Sequence, residues 1–222
     1  MSIEQNAAAV LKELEGGNPF GEKITLVAAT KTRTADEINR VIQAGVKDVG
    51  ENRVQEFTQK YADIRGGVHH FIGHLQTNKV KYLVGKIALY HSVDRDELAL
   101  EISERSKRAG IKSDVLVQIN IGCEESKGGY PLEDGLATLA RLKELEGLRV
   151  RGFMAMLPLA GDEEYKKSLC KKMRALFEEA RNGDSDIAYL SMGMSGDWRL
   201  CVSEGANMVR IGTALFGERH YT

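Results

Sequence analysis

The 222 residues, 42% of them hydrophobic and 28% charged, suit one soluble domain spanning residues 1–222 with a substantial core. A formal net charge of −1 gives no global field to draw nucleic acid or an anionic membrane, and no apolar run approaches the ~20 residues of a membrane span. Three scattered cysteines, Cys123, Cys170 and Cys201, form no CxxC pair, which argues against a disulfide framework or a metal site and points to a reducing cytoplasm.

The chain opens with an early Glu4 and no basic segment before an apolar run, so its start reads as a helix and not as a secretion signal. Ser2 and Gln5 supply a capping box, and Gly16-Gly17 end that helix. Residues 24–30 (ITLVAAT) form a short run of apolar and branched residues, as expected of a strand buried on both faces. Thr34 and Glu37 make a second capping box; Ile38, Val41 and Ile42 mark the apolar face of the helix, which Gly45 ends. The alternation continues with strands at 46–49, 69–72, 87–92, 114–120, 148–154, 187–190 and 208–211. Between them come helices at about 53–64, from about 78, at 94–109, 132–145 and 162–182, and a short one before Gly205. A last short helix follows Thr213.

A βα unit repeated about eight times, unbroken by any Pro/Gly-rich linker, predicts an α/β fold: a single (β/α)8 barrel with an extra N-terminal helix. An open doubly wound sheet also alternates β and α. Uniformly short strands and the lack of a Gly-rich dinucleotide fingerprint after the first strand favour the barrel.

Active sites of such barrels lie at the carboxyl ends of the strands. Lys31 follows the first strand, Glu51 and Asn52 the second, and His74, Gln76, Asn78 and Lys79 the third. Ser92, Asn120, and Met154 with Met156 follow the next three. Burial at a strand end would disfavour a charged Lys31 and leave the neutral amine that a Schiff base requires; the alternative is a lysine that snorkels into solvent. SMGMSG (191–196) and Gly212-Thr213 occupy the positions where barrels commonly bind phosphate, although each is also an ordinary Gly/Ser turn. Arg210, inside the last strand, needs an acceptor, either a ring nitrogen of a heteroaromatic ligand or a barrel carboxylate. His69, His70 and His74 cluster without metal-ligand spacing. Met154, Met156, Met192 and Met194 are expected to pack around the mouth, and Lys79, Lys81 and Lys86 to form a solvated face.

Five segments, LVAATKT (26–32), VGENRVQE (49–56), HFIGHLQTNK (70–79), SMGMSGDW (191–198) and VRIGTALFG (209–217), closely resemble the pyridoxal phosphate (PLP) homeostasis proteins. The resemblance covers nearly the whole chain in the same order. It implies a fold-type III barrel like that of alanine racemase. It implies that Lys31 holds PLP as a Schiff base, that Ser195, Gly212 and Thr213 bind the phosphate, and that Arg210 faces the pyridine nitrogen. Asn52 matches a polar residue near the ring, Lys127 a lysine implicated in handling PLP near the site entrance, and Met194 adjoins the same turn. Cys201 and Asn207 depart from the alanine and the hydroxyl residue common in the family.

An arginine at the pyridine nitrogen disfavours ring protonation and so damps carbanion chemistry. The expectation is a monomeric PLP-binding protein, not an enzyme, that holds the cofactor and releases it or passes it to apo-PLP enzymes. A racemase is the main rival, but its tyrosine comes from a second domain for which a chain ending at Thr222 leaves no room. A Schiff-base aldolase would need acid/base carboxylates beside a lysine on a middle strand. A pure interaction protein with a vestigial site would show no visible absorbance.

Overall fold

Ser2 accepts from the Gln5 amide while the Gln5 side chain accepts from the Ser2 amide, and this reciprocal cap starts α1 (Ile3–Leu14). The computed structural model describes residues 2–124 and 127–217. After α1 the order is β1 (Thr25–Ala29), α2 (Ala35–Gln43), β2 (Asp48–Glu51), α3 (Val54–Lys60) and β3 (Val68–Phe71). A 3-10 helix (Thr77–Tyr82) leads to β4 (Leu89–Val93), α4 (Asp96–Arg108) and β5 (Ser113–Ile119). Then come α5 (Gly135–Lys143), β6 (Leu148–Ala155), α6 (Glu163–Arg181), β7 (Tyr189–Ser191), α7 (Trp198–Ser203), β8 (Met208–Ile211) and α8 (Thr213–Phe216).

Every strand pairs in parallel with the next, and β1 pairs with β8 to close the barrel. The closing register sets Val27 opposite Arg210 and Ala28 opposite Ile211. The (β/α)8 architecture with its extra N-terminal helix is therefore observed. Side chains alternate across each strand, so one set fills the lumen and the other meets the helices. The lumen holds an apolar cluster of Val27, Ile72, Leu89, Leu116, Met154 and Met208. Two larger clusters lie between strands and helices; one joins α1, α2 and α8 to β1, β2 and β8. Among the described residues no helix is long and apolar enough to cross a membrane.

Three strands, β2, β4 and β7, begin two residues later than expected, and the helix after β3 is of another kind. The second strand begins at Asp48 and not at residue 46. Gly45 leaves α2 through a left-handed turn at φ +103°, and the Val46 amide still bonds back to Val41 O at 3.2 Å. The ladder to β3 starts only at Lys47 O, which accepts from Val68 N at 2.8 Å. The helix expected from about residue 78 is a short 3-10 segment, in which only Val80 is buried. It has too narrow an apolar stripe to pack a longer helix.

Candidate functional site

β1 delivers its carboxyl end into a clamp. Thr30 N–H donates to Gly50 O at 2.8 Å, and Thr30 Oγ1 donates to the same oxygen at 3.1 Å. Lys60 Nζ donates to Thr30 O at 2.9 Å and to Arg33 O at 3.2 Å, bracketing Lys31 from below. The same ammonium forms a close ion pair with the buried Glu51. Glu51 Oε1 in turn accepts from the amides of Asn52 at 2.7 Å and Arg53 at 3.2 Å. Thr32, the next residue after Lys31, sits at φ +64°, an unusual region for a β-branched residue, and its amide donates to Glu56 at 2.6 Å. Lys31 is thus presented by a turn fixed from several sides. Glu51 stiffens that turn and does not line the cavity.

Asn52 follows β2. A Cβ at residue 73 would fall 2.1 Å from Asn52 O, so only glycine allows the two backbones to meet there. Asn52 Oδ1 is buried and has no hydrogen-bond partner among the described residues. An unpaired buried acceptor is costly unless a ligand or water meets it.

Arg210 is 4% exposed. Nη1 donates to Ser191 O at 2.9 Å and to Ser191 Oγ at 2.6 Å, and Nη2 donates to Ala155 O at 3.0 Å. All three acceptors are neutral oxygens. Among the described residues no carboxylate pairs with this guanidinium, so the barrel ion pair left open by the sequence is not what holds it. Burial pulls its pKa down to about 10, and it remains charged at neutral pH.

Two turns complete the rim. The β7–α7 turn is tied by Met194 N–H to Asp197 Oδ1 at 2.6 Å, and by Arg210 N–H to Gly193 O at 2.9 Å. Gly212 N–H donates to Ser195 Oγ at 3.2 Å, which joins this turn to the start of α8. α8 is a single turn of four residues, and its opening amides are those of Thr213 and Ala214.

Lys31, Asn52, Met194, Ser195, Arg210, Gly212 and Thr213 line one cavity of about 310 Å³, at the low end of the usual range for small-molecule sites. Lys127 does not line it. On the β5–α5 loop its ammonium pairs closely with Glu124, and it donates to Leu157 O, beyond β6, at 3.3 Å. Sequence reasoning missed Arg33 and Ile72. The turn made by Lys60 brings Arg33 back to the mouth, and Ile72 reaches it as the next lumen-facing residue after His70. Met156 and Met194 line the cavity and Met154 fills the lumen below, whereas Met192 packs in the outer core. The three histidines separate. His69 packs edge-on against Phe57 and Tyr61, His70 enters the lumen, and His74 bonds Asp94 at 3.1 Å on the surface.

The family model for the alanine racemase N-terminal domain matches residues 2–220. A pyridoxal phosphate homeostasis protein of Aquifex aeolicus (strain VF5) is 44% identical over 199 residues, spanning 88% of this chain and 87% of its own. The solved structure of PipY from Synechococcus elongatus PCC7942 with PLP bound matches with a TM-score of 0.84 at 31% identity, over 97% of this chain and 100% of that one. An alanine racemase of Clostridium difficile 630 shows the same fold at 17% identity and a TM-score of 0.79, with 99% of this chain covering 57% of the racemase. By its sequence over nearly its full length, and by a barrel that closes with a lysine and an arginine at one mouth, this chain belongs to the alanine racemase N-terminal domain family and, within it, to the pyridoxal phosphate homeostasis proteins.

Proposed function

We propose that this chain binds PLP at the cavity and acts in the supply of that cofactor as a carrier. The observation that carries the reading is the convergence of Lys31, Arg210 and the two anion-binding turns on one cavity. The lining residues fit the group. Arg33 and Arg210 bring two cations, and Lys31 an amine, to a ligand that carries a phosphate. Ser195 and the amides opening α8 offer donors for its oxygens. The unpartnered Asn52 Oδ1 accepts from a polar ring substituent.

When bound, PLP supplies an aldehyde carbon that an amine captures reversibly and a ring that withdraws electrons. Lys31 provides the amine. Arg210 has donors only, so it bonds the pyridine nitrogen as an acceptor and opposes its protonation. Among the described lining residues, none is a carboxylate, histidine, tyrosine or cysteine. Among the described lining residues, then, none stands as a second acid or base opposite Lys31 to shuttle protons at a substrate carbon. Met194, Gly196 and Thr213 are exposed, so water and incoming amines reach the mouth.

The test is transfer. The PLP-loaded protein is mixed with an apo-PLP enzyme, with and without a scavenger of free PLP. A carrier reactivates the apo-enzyme in both cases. Reactivation abolished by the scavenger reduces the protein to a passive reservoir, and no transfer at all ends the reading. Rapid solvent-deuterium exchange at the α-carbon of amino acids would favour the racemase alternative instead.

A further inference from the structure

Four polar residues inside the barrel form a row, of which only Ser191 has so far been given a part in the site, as an acceptor for Arg210. They are Asp48 of β2, His70 of β3, His91 of β4 and Ser191 of β7. His70 Nε2 lies 3.0 Å from Asp48 Oδ1, His70 Nδ1 lies 2.8 Å from His91 Nε2, and His91 Nδ1 lies 3.0 Å from Ser191 Oγ. Ser191 Oγ then accepts from Arg210 at 2.6 Å. The row runs from the amino end of the barrel, where Asp48 and His70 line a second cavity, to the base of the candidate site.

The hydrogens in this row have one self-consistent arrangement. A guanidinium only donates, so Ser191 Oγ accepts from Arg210 and its own hydrogen must go elsewhere. The remaining partner is His91 Nδ1, which therefore carries no hydrogen. Neutral His91 then holds its hydrogen on Nε2 and donates to His70 Nδ1. His70, accepting at Nδ1, holds its hydrogen on Nε2 and donates to the Asp48 carboxylate. Every donor has an acceptor, and both rings are neutral. His91 is fully enclosed, and burial, then neighbouring His70 and Arg210, hold its pKa well below the usual histidine value.

We propose that Asp48, His70, His91 and Ser191 form a directional hydrogen-bonded chain that positions Arg210 and makes its support depend on the protonation of His70 at the far end of the barrel. A proton arriving from solvent at the Asp48 end forms a new N–H bond at His70 Nδ1. That hydrogen faces the one on His91 Nε2 across 2.8 Å. The contact must open, or His91 must carry its hydrogen on Nδ1 and turn Ser191 into a double acceptor. Either outcome changes the group that holds Arg210. Around His70 stand Asp48 of β2, His91 of β4, Asp114 of β5 and Tyr189 of β7, with His69 beside it on β3. Asp114 is itself paired with Arg149 and Arg151 of β6. These residues are positioning residues, since none lines the ligand cavity apart from Arg210.

The effect on the ligand rests on the assignment of Arg210 to the pyridine nitrogen; the chain of bonds does not. Two measurements keep them apart. Nitrogen-15 spectra of histidine-labelled protein, assigned with His69→Gln, His74→Gln and His220→Gln, read the tautomers directly without any ligand. At pH 8 both His70 and His91 are expected as neutral rings with hydrogen on Nε2. A His91 hydrogen on Nδ1, or a cationic His91, overturns the proposal whatever binds the cavity. In the PLP-loaded protein, the visible band should then change with pH in step with the His70 ring signals. Asp48→Asn should shift both changes together, because it removes the carboxylate that accepts from His70 Nε2. Ser191→Ala should flatten the profile and Ser191→Thr should restore it. A wild-type profile in Ser191→Ala overturns the coupling. If Ser191→Ala fails to fold, the Asp48→Asn shift decides. PLP fixed at a lysine other than Lys31 would sink the cofactor reading while leaving the tautomer result standing.

Discussion

Replacing Ser195 with alanine should separate two ligands that differ only in the phosphate. The hydroxyl is half-buried at the cavity wall and accepts from Gly212 N–H at 3.2 Å, which leaves its own hydrogen to donate to a phosphate oxygen. A hydrogen bond to a charged group contributes about 1.5–3 kcal/mol. At about 1.4 kcal/mol per decade, PLP affinity should fall about ten- to a hundred-fold. Unphosphorylated pyridoxal makes no such bond, and its affinity should change by less than about twofold, within the ~0.5 kcal/mol scatter of mild substitutions. The assay is parallel titration of both ligands by visible absorbance, with the thermal midpoint recorded as a folding control. An equal loss for the two ligands would refute the phosphate assignment, since it would mean that Ser195 acts through the shape of the turn.

Lys31→Ala should abolish the visible band and the borohydride-fixed adduct, and a pyridoxyl adduct mapped to another lysine in the wild type would refute the assignment. Glu51→Gln should cost up to about 3 kcal/mol in urea unfolding, because the half-buried Lys60 ammonium loses its nearest counter-charge and keeps only Glu56 at 3.8 Å; a loss under about 1 kcal/mol would show that the clamp is not stabilising. Stability should also fall as the pH drops below about 6.5. His91 is held neutral, first by burial and then by His70 and Arg210, and His69 is lowered first by burial and then by His70. The unfolded chain therefore takes up protons that the folded one refuses, at up to about 1.4 kcal/mol per pH unit for the enclosed His91 and well below that for the partly exposed, solvent-screened His69. A flat denaturation midpoint between pH 6.5 and 5 would contradict this.

The fold was legible because the βα alternation is carried by short, branched, apolar strands such as residues 25–29 and 115–119, whose pattern survives without tertiary information. β2 was misplaced by two residues because its sequence, DVGE, has poor strand propensity and is held in the sheet by both neighbours. The mouth was readable too, since strand ends point to Lys31, Asn52, Arg210 and the two turns. Lys127 was placed there by resemblance alone, and its loop holds it against Glu124. The row of Asp48, His70, His91 and Ser191 was not readable. Its members come from four strands, and which face of each strand meets the lumen is settled only by the register of the closed barrel. Nothing local distinguishes His70 from His69, yet one lies inside the barrel and the other packs against Phe57 and Tyr61 outside it.

The barrel closes where its first strand meets its last, and the candidate site straddles that seam. Lys31 follows β1, while Arg210, Gly212 and Thr213 belong to β8 and the turn beyond it. During synthesis the amine is made before its partners in β8 and the turn beyond, so a nascent chain holds no complete cavity until β8 has docked. Occupancy then reports completion of the fold. A ligand fixed on one side of the seam and hydrogen-bonded on the other acts as a stitch between the two ends of the sheet. It raises the stability of the closed form by RT ln(1 + [L]/Kd), and it does nothing for a barrel that has not yet shut.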